Sequence, residues 1–386
     1  MSPQWTLPLE GIRVVDLTRN VAGPYTSMIL AELGAEVVKI EQPGTGDDIR
    51  SWGPPFWGDD SAMFLSLNRN KRSIELDLRS DEGRQVLSEL VTRSDVVVES
   101  FRPGSLARMG YSYAWAAQLN PGIVFCHITS YGSVGPMKDL PGYDLLMQAL
   151  SGIMSVTGEA GRPAVRVGVS VVDMGTGMWG AMAVLAALQA KQRTGKGSEV
   201  QTSLFETAIS WMSYHLTAYL ASGEIPRKLG TGNFSLAPYG TFPAADGEVA
   251  IGAGNDSLFR RLCGVLQKPE LASDERFVTN PLRVQNRTSL TAELEQVTSN
   301  WPSEKLVQAL YEGGVPASLL RTVDQVATEP QVQALGILQR FERCDIPYFQ
   351  SVGLPLTFDG VRPPLRLFPP RVGQHNDWLR EQLESD

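Results

Sequence analysis

A single carboxylate is the most chemically suggestive group in the sequence. Residues 171–179 read VVDMGTGMW: Asp173 leads into a helical stretch and is followed by Gly175 and Gly177. An aspartate at such a place can accept hydrogen bonds from the backbone N–H groups that follow it and gains from the positive helix end, the behaviour of an N-cap. The glycines add a functional reading, because missing side chains let a ligand approach the backbone beside the carboxylate. At an ordinary pKa of about 3.9 the group is ionised at neutral pH and can serve as a covalent nucleophile without a general base. Cations are the second signal: Lys71 and Arg72 open one strand-like run, Arg79 follows it, and Arg102 and Arg108 follow the next. In a parallel sheet the segments after successive strands share one edge, where open α/β sheets bind ligands. Several cations there suit phosphates; a solvated surface is the plain alternative.

Other chemistries find little support. The chain has 386 residues, 34 Lys and Arg against 42 Asp and Glu, and a net charge of -8, without a basic run, so no nucleic-acid partner is expected. Cys126, Cys263 and Cys344 are far apart and read as reduced, inert thiols, and His127, His215 and His375 share no metal-ligand spacing, so no metal is expected. The turn at 20–24 has one glycine where a dinucleotide fold would carry three, and neither a P-loop nor G-x-S-x-G occurs. The N-terminus, residues 1–6, lacks a signal or transit pattern. The longest apolar stretch, 178–188, is shorter than the roughly 20 residues of a membrane span. The expectation is a soluble cytoplasmic protein with no membrane partner.

The elements that must position these groups follow from periodicity. Residues 11–16 read as a strand, 25–33 as a helix and 37–40 as a strand, which is a βαβ unit. Strands are expected at 73–76, 95–98 and 123–128, a helix at 81–92, and a long helix through 181–188 closed by basic residues and glycines at 191–197. The fold class is therefore α/β with a mainly parallel sheet. A Gly, Pro, Asn and Ser shift at 223–238 suggests a linker or binding loop. Beyond it a strand at 248–252 and helices at 256–266 and 302–331, broken at 313–316, precede a proline-rich tail, 347–371, read as irregular.

Several ordered motifs carry a family resemblance. Residues 8–18 (PLEGIRVVDLT), 22–24 (AGP), 33–41 (LGAEVVKIE), 68–74 (NRNKRSI), 98–104 (VESFRPG), 141–144 (PGYD) and 172–177 (VDMGTG) resemble the family III (CaiB/BaiF-type) CoA-transferases, and the likeness runs to 373–375 (GQH). The resemblance implies a Rossmann-like large domain over 1–200, completed by 330–386, a smaller α+β domain over 225–325, a linker at 201–224, and an interlocked homodimer. It implies that Asp173 is the nucleophile, passing through an aspartyl anhydride and an aspartyl-CoA thioester. Coenzyme A and acyl-CoA enter as substrates, and no tightly bound cofactor is implied. Oxyanion donors are expected at the helix start or in the 230–235 loop.

At the family's CoA-binding positions this chain has Val21, Ala22, Leu76, Arg79, Ser100, Phe101, Arg102, Arg108, Tyr143 and Asp144. Its substrate loop would hold Gly230, Thr231, Gly232 and Asn233. Relative to oxalate/formate-type members it departs at Val21, Gln42 and 230–235, which speaks against oxalate. Residues 46–55, 249–255 and 280–287 are more similar to the succinyl-CoA:glutarate type, so a dicarboxylate of four to six carbons is the expected acceptor. An α-methylacyl-CoA racemase is the competing enzyme, but Tyr143 stands where racemases carry a histidine acid/base. A non-catalytic CoA-binding protein is the remaining alternative, and an intact Asp173 argues against it. Met174 and Trp179 are expected in the core or lining the pocket, His127 in a packed or hydrogen-bonded site, and His375 in a structural one.

Overall fold

The computed structural model describes residues 6–343 and 346–384. Cys344 lies outside the described residues. The chain divides into two compact units: one gathers the described parts of Met1–Ser151, Gly168–Met212 and Pro330–Asp386, the other Gly152–Val167 and Ser213–Glu329.

In the first unit six strands form a wholly parallel sheet: β1 (Arg13–Leu17), β2 (Glu36–Glu41), β3 (Lys71–Glu75), β4 (Val96–Glu99), β5 (Val124–Thr129) and β6 (Ser198–Ser203), in the order β3-β2-β1-β4-β5-β6. The order reverses between β1 and β4, so the carboxyl ends of those two strands frame the switch point of the sheet. The central strands are Val-rich because both faces are covered; Val96, Val97 and Val98 are fully buried. β6 is a half-exposed polar edge, SEVQTS, without an apolar run, which is why the sequence pattern passed over it.

Two helices place the candidate nucleophile. In α1 (Ala22–Glu32) every residue but Tyr25 is buried, as expected of a helix covered on all sides. The long helix, α4 (Val171–Thr194), begins ten residues earlier than its apolar run, so Asp173 lies inside its first turn. A Cβ added to Gly177 would come 2.7 Å from the Ala22 carbonyl oxygen, and one on Gly180 would come 2.7 Å from Thr26 Oγ1. The Thr26 hydroxyl also lies 3.0 Å from the Gly177 carbonyl. One on Gly175 would press into the Trp211 ring of α5 (Leu204–Trp211), 2.6 Å away. These glycines therefore serve close helix packing. α4 is long and apolar enough to cross a membrane by length and composition, against the 11-residue expectation, but half of that stretch is buried in the unit.

The unit is closed by its C-terminal segment. β10 (Leu338–Arg343) and β11 (Ile346–Val352) pair antiparallel, so the tail expected to be irregular over 347–371 opens on a strand, and α9 (Asn376–Glu384) follows. His375 accepts from the Ser73 N–H through Nδ1 at 3.2 Å, and its own N–H returns to the Ser73 carbonyl at 2.9 Å. The segment 201–224, expected to be a linker, holds the end of β6, α5 and a further helix, Ser213–Ser222.

The second unit has its own core. A three-stranded antiparallel sheet of β7 (Tyr239–Ala244), β8 (Gly247–Gly252) and β9 (Ala317–Leu319) packs with helices α6 (Asp256–Val265), α7 (Arg287–Thr298) and α8 (Ser303–Glu312) around Val249, Ile251, Phe259, Leu290 and Leu310.

Candidate active site

The start of α4 is not capped by Asp173. Its N-cap residue is Ser170, whose side chain makes no cap bond. The capping carboxylate comes from Asp144, the first residue of α3 (Asp144–Leu150): its Oδ2 accepts from Val172 N at 2.8 Å and Asp173 N at 3.3 Å, and its Oδ1 accepts from the Gln148 amide. Asp144, expected at a CoA contact, is thus buried against the helix and does not line the cleft that Asp173 faces. It also occupies the helix-start N–H groups that were candidates for oxyanion stabilisation.

Asp173 itself is partly buried, and burial first, then the neighbouring Asp144 charge, push its carboxyl up to about 7. The expectation of a fully ionised group at neutral pH is corrected accordingly: near pH 7 the protonated and ionised forms coexist. A carboxylate of raised basicity is the better nucleophile once ionised.

Asp173 faces a cleft of about 320 Å³ at the switch point of the sheet. The walls hold six of the expected residues, Val21, Ala22, Ser100, Phe101, Arg102 and Tyr143. A second cleft of about 470 Å³ shares Arg19 and Phe101 with the first and holds Leu76 and Arg79. Arg19, Asp48 and Trp52 were not anticipated. Arg19 pairs with Asp48 at 3.6 Å and lies 5.6 Å from the Phe101 ring centroid, while its backbone N–H donates to Ser100 Oγ at 3.1 Å. Trp52 leans on Tyr143 with ring centroids 6.5 Å apart. Arg19 stands two residues beyond β1, on the edge the parallel-sheet rule points to, so the signal for it was present.

The cations expected on that edge divide. Arg79 and Arg102 line the clefts. Lys71 is wholly buried, its ammonium 3.1 Å from Asp16 Oδ2 and donating to the Pro24 carbonyl and Asn68 Oδ1. Arg72 pairs with Glu36 at 3.1 Å and covers the Trp378 ring. Arg108 donates to Ser105 Oγ on an exposed short helix, Ser105–Arg108, and lines neither cleft. Strand position alone does not separate a strut from a ligand-facing cation; the direction of the side chain does.

The start of α1 also lies at the cleft: its N-cap residue is Val21, no side chain caps it, and Val21, Ala22 and Gly23 all line the wall. Met174 and Trp179, expected in the core or the pocket, are exposed, Met174 lining a separate hollow with Tyr25 and Met28, and so are Met178 and Met182 on α4 and Leu145, Leu146 and Leu150 on α3.

The expected substrate loop belongs to the second unit. Gly230 N donates to the Gly158 carbonyl at 2.9 Å, Thr231 Oγ1 accepts from Thr241 N at 2.9 Å, and the Asn233 carbonyl accepts from Arg287 at 2.6 Å. Thr231 and Gly232 line a hollow of about 150 Å³ with Arg287, and the loop is held by its own unit.

Of the other titratable groups, His127 is clasped by Glu99 at 2.5 Å and Glu199 at 2.9 Å, a hydrogen-bonded site. Cys126 and Cys263 are buried, and burial pushes their thiols up to about 12 and about 11, which leaves them unreactive.

Comparison with known proteins gives one answer. The family model for CoA-transferase family III matches residues 9–376. The succinyl-CoA:glutarate CoA-transferase of Homo sapiens is 38% identical, covering 98% of this chain and 87% of that one, and the succinate–glutarate CoA-transferase of Agrobacterium fabrum is 36% identical, covering 98% and 96%. An acetyl-CoA:oxalate CoA-transferase of Acetobacter aceti is also 36% identical over 98% of the chain. A CaiB/BaiF family protein from Brucella suis superimposes with a TM-score of 0.86 at 38% identity, over 98% of this chain and all of that one. The chain therefore belongs to CoA-transferase family III, enzymes whose substrates are CoA thioesters.

Proposed function

We propose that the enzyme moves coenzyme A from succinyl-CoA to a dicarboxylic acid of four to six carbons, with Asp173 as the covalent carrier. The observation that carries this reading is a carboxylate of raised basicity opening onto the switch-point cleft. An Asp173 oxygen attacks the thioester carbonyl; the C–S bond breaks, giving a mixed anhydride and CoA thiolate. The thiolate attacks the aspartyl carbonyl, releasing succinate and leaving an aspartyl-CoA thioester. The acceptor carboxylate then displaces the thiolate to form a second anhydride, and the thiolate attacks the acceptor's acyl carbon, regenerating the Asp173 carboxylate. Every step exchanges one activated acyl group for another, so the cycle balances without ATP.

The remaining residues take roles that fit their places. Arg19, Arg79 and Arg102 offer guanidinium groups to the phosphates of CoA. The Ala22 and Gly23 N–H groups at the start of α1 meet the developing oxyanion, where the helix dipole favours negative charge. The relatives named for glutarate support a dicarboxylate acceptor, and the oxalate relative makes chain length the property to measure. The exposed apolar side chains on α3 and α4 support a second copy of the chain as their cover.

The test is mass spectrometry of the intact protein after succinyl-CoA and hydroxylamine, with glutarate, succinate and oxalate offered separately as acceptors. A hydroxamate on Asp173 is expected, discharged by the acceptor of the right length. A protein that binds CoA yet forms no adduct with any acyl-CoA would overturn the covalent route.

A further inference from the structure

We infer that Asp144 is the positioning residue of the nucleophile: its carboxylate ties down the backbone of the reacting residue and sets a negative charge beside the reacting carboxyl. The inference rests on the reading of Asp173 as the carrier. Asp144 is 7% exposed and lines neither cleft, so it has no route to the substrate. Its oxygens meet the Val172 and Asp173 N–H groups and the buried Gln148 amide, and no Lys, Arg or His pairs with it among the described residues. A capping side chain normally steadies a helix end for its own sake. Here one of the two N–H groups it holds is that of the nucleophile, so any drift of the cap is drift of the reacting atom.

An asparagine would serve the backbone nearly as well, since Asn and Asp rank alike as N-caps. What asparagine lacks is charge, and charge is the second task. The titratable groups carried by the other elements packed against α4 are Tyr25 and Glu32 on α1, Glu206 on α5, His127 on β5 and Glu199 on β6. The cleft walls add Arg19, Asp48, Arg102 and Tyr143. Among these groups, the charge that raises the Asp173 carboxyl, after burial, is that of Asp144. The two tasks are therefore separable by substitution.

Asp144→Asn keeps the cap and removes the charge. Its kcat/KM profile should shift its acid limb to lower pH by several tenths of a unit or more, with KM for succinyl-CoA unchanged. Asp144→Ala removes both and should lower kcat roughly 10- to 100-fold, again with little effect on KM, because a nucleophile displaced by about 1 Å loses that much. Gln148→Met keeps the charge but removes a donor that offsets it, so its acid limb should move to higher pH; this variant carries the test if Asp144→Asn does not fold. An unmoved limb in Asp144→Asn, wild-type kcat in Asp144→Ala, or an unmoved or lowered limb in Gln148→Met would overturn the inference. Asp173→Asn, measured alongside, separates the two readings. If it still turns over, the carrier assignment itself fails; if it is inactive while the Asp144 limb stays put, only the role of Asp144 falls.

Discussion

The tripeptide Val-Val-Asp occurs twice, at 14–16 and 171–173, and the two aspartates have opposite fates. Asp16, the last residue but one of β1, is wholly buried, with hydrogen bonds from Thr18 N and from the Thr18 and Ser27 hydroxyls, and with Lys71 Nζ at 3.1 Å. Burial alone would raise its carboxyl, but Lys71, Lys39 and the two hydroxyls outweigh it and hold the group down at about 2. At Asp173 burial acts in the same direction, and the charge that adds to it is another carboxylate, Asp144, so the group rises to about 7. Desolvation has one sign in both places; the neighbours decide the outcome. An acid buried among cations is a strut, and an acid buried beside an acid is held in a reactive state.

The comparison breaks most visibly if the two aspartates are removed in turn. Asp173→Ala should reduce CoA transfer by on the order of 10³-fold or more in a coupled assay, with CoA affinity retained; substantial turnover would remove the carrier role. Asp16→Ala should instead act on the fold, costing about 3–5 kcal/mol in urea unfolding because the Lys71 ammonium is left buried and unpaired. A loss under about 1 kcal/mol would show that the pair is not the strut described.

pH sharpens the contrast. A carboxyl raised to about 7 binds its proton more tightly in the folded state than at its unfolded value of 3.8, so it weakens the fold progressively as pH rises from about 4 to about 7. Asp173→Asn should therefore stabilise the protein at pH 8, by roughly 1–3 kcal/mol, while abolishing activity. A melting temperature at pH 8 equal to or below wild type would count against it. The Asp16 contribution has the opposite sign: it is fully present above about 4 and fades as pH falls toward about 2.

Two smaller effects test what surrounds the pair. Gly177→Ala puts a methyl against the Ala22 carbonyl and should cost about 1–3 kcal/mol by forcing α1 and α4 apart; a neutral substitution would show that the contact can relax. His127 is raised above its usual value: burial opposes the shift, and Glu99 and Glu199 overcome it. Its stabilising contribution is full below about 6.5 and is lost as pH climbs through the raised value. His127→Gln should thus cost the fold at pH 6, by about 1 kcal/mol or less, and nothing at pH 9.

How much of this was legible in the sequence depends on range. Strands β1 to β5 and helix α1 were readable because apolar runs and breakers act locally. The carboxylate before the glycines was readable for the same reason. Asp144 as the cap of α4 was not: it lies 29 residues before Asp173, and only the fold brings it to the helix start. The packing role of the glycines was not legible, because a residue that admits a ligand and one that admits a neighbouring helix look identical until the neighbour is placed. Lys71 and Arg79 bracket the same strand, yet one points into the protein and the other to the cleft. The polar edge strand β6 had no pattern to betray it.

The large unit is stitched from both ends of the chain, with Asn70 Oδ1 accepting from Arg366 N and Leu367 N, Glu75 N donating to Asn376 Oδ1, and the Arg50 guanidinium reaching the Pro370 carbonyl. During synthesis these partners are separated by some 300 residues, so β3 and the buried polar groups beside it leave the ribosome long before anything can cover them. The second unit, contiguous from Ser213 to Glu329 apart from Gly152–Val167, is made within that interval and can pack its own core first. The nascent polypeptide thus carries an unfinished sheet edge through most of its translation, and a ribosome that stalls after residue 330 would release a product with that edge still open to pairing with other chains.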